Sequence, residues 1–254
     1  ASLLLAKVLK TRRTAAALLL TTKTSSAFVI LFMAPGNEMR VASEITTWMP
    51  GYKELSVGKH LFMTIQWMLS SFANEGKAFF IAIWTAGFLL LMKSKKAKVY
   101  QILAVVFSVV ALLPYAGISF FSEMGIGYID IEQRLTELPT WQTMNIQNRI
   151  AFFWWIAAVL FTMVLLWKVT GHSVFISMVF LGGIASEAVL HFSPTIYASG
   201  ARVYYLTDLM YLFIILWMVM HMDSEKKKNL FIAGVVVLGV ANFLSQYSIM
   251  LLKL

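Results

Sequence analysis

Between Arg149 and Lys168 the chain reads R-IAFFWWIAAVLFTMVLLW-K, eighteen consecutive residues (150–167) without a charge. A hydrocarbon core of roughly 30 Å needs about 17–25 such residues in one helix, so this stretch predicts a membrane-crossing helix and decides how its neighbours are read. Comparable runs occupy 15–33, 78–92, 99–121, 173–191, 203–221 and 229–249. Across all 254 residues, 59% are apolar, 13% are charged and mean hydropathy is +0.76, which is too oily for a soluble domain of this length. The fold class expected is therefore all-α: one polytopic membrane domain over 1–254, with about seven transmembrane helices and short external surface helices.

Charge orients these runs. Lys7, Lys10, Arg12 and Arg13, then Lys93, Lys95, Lys96 and Lys98, then Lys168, then Lys226, Lys227 and Lys228 fall in alternate connections. The bias of Lys and Arg toward cytoplasmic loops puts all four groups inside and the other connections outside. Ten of the twelve Asp and Glu residues then lie on the outer side. The +9 net charge is largely absorbed by these topology determinants, so nucleic-acid binding is not expected. With no cysteine, disulfides and thiolate metal sites do not arise. The opening ASLLLAKVLK has neither a separate basic head nor a small-residue cleavage site, so no secretory signal peptide is expected.

Two runs are weak. The first carries Thr21, Thr22, Lys23, Thr24, Ser25 and Ser26 in its middle, which suits only a protein-lined or watery face. The second is short unless residues 61–73 join it; lying flat on the outer surface, with Trp67 at headgroup level, is the preferred placement of that piece. Trp48, Trp67, Trp141, Trp154 and Trp155 read as an outer aromatic belt, and IDIEQRLTEL over 129–138 as a short surface helix.

Three groups of residues outside the Lys-bearing loops carry the chemistry. In A-P-G-N-E-M-R, Ala34–Arg40, Pro35 stops a helix, Asn37 can cap the next one, and Arg40 sits one turn into it. In H-F-S-P-T-I-Y-A-S-G-A-R, His191–Arg202, a hydroxyl-rich turn delivers Tyr197 and Arg202 to the mouth of the sixth run. Within the runs themselves, Glu187 lies one turn before His191 and Asp208 follows in the next span; carboxylates at such depth face a partner or a watery cavity. Arg40, Arg134, Arg149 and Arg202 all fall outside, against the trend that sets the lysines inside. A planar guanidinium is suited to oriented recognition of phosphate. Asn37, Arg40, Arg149, Tyr197 and Arg202 are the candidate substrate-binding residues, Glu187 and Asp208 their supports. No metal-ligating or serine-hydrolase motif is present, and the four histidines are scattered.

The pairing of A-P-G-N-E-M-R at a span exit with S-P-T-I-Y-A-S-G-A-R before a Tyr-rich span resembles bacterial multi-pass proteins similar to glycosyltransferases of the GT-C superfamily. The resemblance implies inverting transfer of a sugar from a polyprenyl-phosphate donor to a glycan or lipid acceptor, on the outer face of the bacterial cytoplasmic (inner) membrane. Such enzymes take their catalytic base from an Asp or Glu just after the first transmembrane helix. This chain shows no acidic pair after an N-terminal span and resembles the C-terminal half of such a protein, with an N-terminal half or partner subunit as a possible companion. Asp130 and Glu132 are the candidate bases within the chain. No cofactor is called for, and a divalent metal stays open. The rival readings are a polymerase or ligase of surface polysaccharide, and a transporter, flippase or non-catalytic subunit that binds lipid-linked glycans without reacting.

Overall fold

The computed structural model describes residues 42, 43, 45, 52–116, 146–171, 173–191 and 204–251. All regular structure among them is helical: α1 (Val57–Ser71), α2 (Lys77–Leu91), α3 (Lys98–Leu112), α4 (Ile146–Val169), α5 (Val174–His191), α6 (Tyr205–Met220) and α7 (Glu225–Leu251). Short 3₁₀ turns at Tyr52–Glu54, Lys95–Ala97 and Leu113–Ala116 punctuate them. Ser56 starts α1 by accepting a hydrogen bond from the Lys59 N–H on its Oγ, at 3.4 Å. Pro114 stands inside the turn that ends α3, which is why that helix stops short of residue 121. Gly171, at φ +62°, reverses the chain between α4 and α5 in a conformation that side chains with a Cβ resist.

α1 does not lie flat. It runs into α2 through one wide π turn, Phe72–Gly76, and packs on α4 and α5. Met63, Thr64, Gln66, Trp67, Leu69 and Ser70 are all buried there. Trp67 and Trp155 are only 6% and 3% exposed, and Trp154 packs on Phe107 at 4.6 Å between ring centres. For Trp67 and Trp155 the belt reading is corrected, because helix packing buries both rings, whereas Trp154 is half-buried. Trp48, Trp141 and 129–138 lie outside the described residues, as does the run 15–33.

α2 is the axis of the bundle, in contact with α3, α4, α6 and α7. It is apolar all round, as a helix enclosed by others must be. Phe80, fully buried, meets rings from four directions: Phe72 at 5.1 Å, Trp155 of α4 at 5.6 Å, Phe180 of α5 at 6.3 Å and Tyr211 of α6 at 5.7 Å. Such tilted and edge-on pairs add about 0.5–1.5 kcal/mol each beyond their burial. One turn on, the Trp84 indole N–H donates to Thr162 Oγ1 at 2.7 Å, and Thr162 donates in turn to the Ala158 carbonyl. Gly87 gives α4 its closest approach, because a Cβ there would stand 2.7 Å from Leu165 Cδ2.

The lysine-rich connections among the described residues meet at one end. Lys93, just after α2, pairs with Asp223 between α6 and α7 at 2.6 Å; Lys227 pairs with the same carboxylate at 2.9 Å and donates to the Leu89 carbonyl. An ammonium on a terminal carbonyl of α2 also suits the negative pole of that helix. Gln101 Nε2 donates to the carbonyls of Leu91 and Ser94, which fastens α3 to the same corner. The contacts of Trp84 and Gly87 with Thr162 and Leu165 set the C-terminal half of α4, which ends beside Lys168, level with that of α2.

Candidate functional site

Away from the lysine end, α5 and α6 pack closely because α5 presents small residues. A Cβ on Gly183 would stand 3.0 Å from the Tyr211 ring, and the Gly183 carbonyl accepts a hydrogen bond from Thr207 Oγ1 at 3.2 Å. One helical turn beyond Gly183 on the same face comes Glu187, 2% exposed. From α6, Asp208 and Tyr211 share a neighbouring face at i, i+3. Asp208 is half-buried and the Tyr211 ring is enclosed by Phe79, Phe80 and Phe180. The Tyr211 hydroxyl lies within electrostatic range of Glu187 and Asp208, and among the described residues it has no hydrogen-bond partner.

The third carboxylate comes from an unexpected place. Glu75 belongs to the π turn between α1 and α2, and it lies within electrostatic range of both Glu187 and Asp208. A π turn inserts one extra residue into a helix and re-aims the side chains around it; such turns recur at functional positions. Three acids from three elements thus lie within electrostatic range of one another. Among the described residues no group of three or more His, Asp or Glu side chains is arranged to hold a metal ion. Chemically, the cluster offers carboxylate oxygens and one phenol to whatever enters, which suits proton transfer more than anion binding.

Lys77, two residues after Glu75, is the first residue of α2. Its Nζ lies 4.6 Å from the centre of the Tyr115 ring, beyond the end of α3, and the residue is 8% exposed. At the opposite end of the bundle, hydrogen bonds from Lys93 and then Lys227 hold the Asp223 carboxyl down at about 2.

Of the residues singled out in sequence, Glu187 and Asp208 are brought together. Arg149 lies in the first turns of α4, half-exposed. Asn37, Arg40, Asp130, Glu132, Tyr197 and Arg202 lie outside the described residues. Glu75, Lys77 and Tyr211 were not among the sequence candidates. The signal available for Glu75 was the polar stretch S-S-F-A-N-E-G-K between two apolar runs. Comparison with protein-family models, with curated proteins and with solved structures gives no match.

Proposed function

We propose that the chain is a multi-pass protein of the bacterial cytoplasmic membrane that transfers a sugar from a polyprenyl-phosphate donor to a glycan or lipid acceptor, on the face away from its lysines. The membrane part rests on the surface. Large apolar side chains stand exposed on the outward sides of α3, α4, α6 and α7, among them Val109 (53%), Leu160 (58%), Leu216 (54%) and Val237 (68%). Bulk water disfavours such a belt, and lipid does not. Among the described residues one helix, Arg149–Val169, is long and apolar enough to cross alone; Lys77–Leu91, Val174–Leu190 and Tyr205–Met220 are apolar but shorter. The lysine end is then cytoplasmic.

The observation that carries the enzymatic part is the meeting of Glu75, Glu187 and Asp208. Glu187 near the end of α5 and Asp208 near the start of α6 flank, in sequence, the segment that holds Tyr197 and Arg202. Glycosyl transfer needs a carboxylate to take the proton of the attacking hydroxyl and a cation to stabilise the departing phosphate. Asp208, a half-buried member six residues after Arg202, is the base we favour over Asp130 and Glu132. The hydroxyl oxygen attacks the anomeric carbon, its proton passes to the carboxylate, and the bond from that carbon to the phosphate oxygen breaks. Arg40 and Arg202 supply the cations in this reading.

The test is reconstitution of the full chain with a polyprenyl-phosphate sugar and a glycan acceptor. Wild type transfers sugar; Asp208→Asn loses about 10²–10⁴-fold in turnover, while Asp130→Asn retains it. Arg40→Ala and Arg202→Ala lose donor binding. Binding of the donor by wild type without turnover would overturn the enzymatic reading in favour of transport or a non-catalytic subunit.

A further inference from the structure

The lysine end of the bundle divides its cations into two sets. Lys93 and Lys227 share the Asp223 carboxylate, and Lys228 pairs with Glu225 at 2.8 Å. Lys95, Lys96 and Lys98, in and beside the turn between α2 and α3, Lys168 in the last turn of α4 and Lys226 in the first turn of α7 form the other set. All five are exposed, and among the described residues none of them is in an ion pair. Eight lysines thus stand against two carboxylates, which leaves six positive charges at this end. Chain order sets the remaining acids apart. Residues 1–37 contain none, Glu38 and Glu44 precede α1, which leads into α2 at the opposite end, and Glu123, Asp130, Glu132 and Glu137 fall between the end of α3 and the start of α4, both at that opposite end.

Six positive charges on one end raise a potential that favours an anionic surface. Their neighbours say which kind. Met92 and Val99 stand exposed on either side of Lys95–Lys98, Trp167 is exposed next to Lys168, and Leu230 is exposed one turn after Lys226. A dissolved anion or an acidic protein gives such side chains no place. An anionic phospholipid serves both, with its phosphate on the ammonium groups and its acyl chains on the apolar neighbours. Lysine suits that level because its apolar stem lies along the helix while the ammonium reaches the headgroups. We infer that Lys95, Lys96, Lys98, Lys168 and Lys226 bind the phosphates of anionic phospholipids in the leaflet at the lysine end. The inference rests on the membrane placement proposed above and not on sugar transfer.

Native mass spectrometry of the full chain in neutral detergent, titrated with phosphatidylglycerol and with phosphatidylcholine, tests this. Wild type binds phosphatidylglycerol more tightly than phosphatidylcholine, and the preference fades with added salt. The triple variant Lys95→Gln, Lys96→Gln, Lys98→Gln loses about fivefold in phosphatidylglycerol affinity for each lysine that meets a phosphate, with phosphatidylcholine binding unchanged. Lys59→Gln, on α1 and away from this end, keeps the preference. Lys227→Met, which removes a contact between helices, lowers the thermal midpoint in phosphatidylcholine nanodiscs and keeps the preference as well. Wild type without a preference, or a triple variant that retains all of it, overturns the inference. Displacement of phosphatidylglycerol by inorganic phosphate at equal concentration overturns the assignment to lipid. Should the triple variant fail to fold, salt takes its place: a preference that salt does not move refutes the site. Failure of wild type to enter phosphatidylcholine nanodiscs overturns the membrane placement itself, a result distinct from entry without a preference.

Discussion

Replacing Thr162 with Val tests the contact that fixes α2 against α4. The substitution nearly preserves shape but removes the acceptor of the Trp84 indole N–H, 2.7 Å away, where both residues are fully buried. In a water-soluble core an orphaned donor of this kind costs about 1–3 kcal/mol. In a bilayer the separated helices still find partners, and interhelical hydrogen bonds average about 0.6 kcal/mol with a ceiling near 1.7. The effect of Thr162→Val alone mixes the lost bond with the altered packing of a methyl group, so the informative quantity is the coupling with Trp84→Phe. Equilibrium unfolding in mixed micelles, followed by near-ultraviolet circular dichroism, gives the four stabilities. The account predicts that Thr162→Val costs less once Trp84 is Phe, with a coupling of about 0.6–1.7 kcal/mol. Additivity to within about 0.3 kcal/mol would refute the contact, and with it the alignment of the two helices.

Gly87→Ala brings a methyl to 2.7 Å from Leu165 Cδ2, in a place where Leu165 is fully buried; overpacking of about 1–3 kcal/mol outweighs a helix-propensity gain of about 1, and Leu165→Val recovers part of the loss in the same unfolding assay. Asp223, held down at about 2 by Lys93 and Lys227, makes a contact present above its ordinary carboxylate value near 3.9 and lost only as pH falls through about 2. Its carboxyl titration, read by NMR, moves upward in Lys93→Met and in high salt, since both partners are partly exposed.

Much of the helical framework is legible from composition because the apolar runs are bounded by lysines and turn formers. α4, α5 and α6 lie close to 150–167, 173–191 and 203–221. The misjudged piece is 61–73. Ser70, Ser71, Asn74, Glu75 and Gly76 look like a break between a surface helix and a span, yet the chain stays helical through a π turn. That widening depends on tertiary packing around Phe72 and Phe80 and leaves no periodic signature. The same limit governs the site. Glu187 and Asp208 stand out as acids inside apolar runs, whereas Glu75 reads as one more acid of an external connection. Tyr211 reads as one of many aromatics, because only the approach of Gly183 makes its position special.

The claim on which the rest depends is polarity: the lysine end faces the cytoplasm, and the junction of α1 and α2, with the acidic cluster, lies toward the outside. The sequence contains no cysteine, so single cysteines at Ser56, Ser94 and Ser224 can be labelled in intact cells with a membrane-impermeant maleimide. The account predicts labelling of Ser56→Cys from outside, and of Ser94→Cys and Ser224→Cys only after the cells are opened. Labelling of Ser94→Cys or Ser224→Cys in intact cells would contradict it.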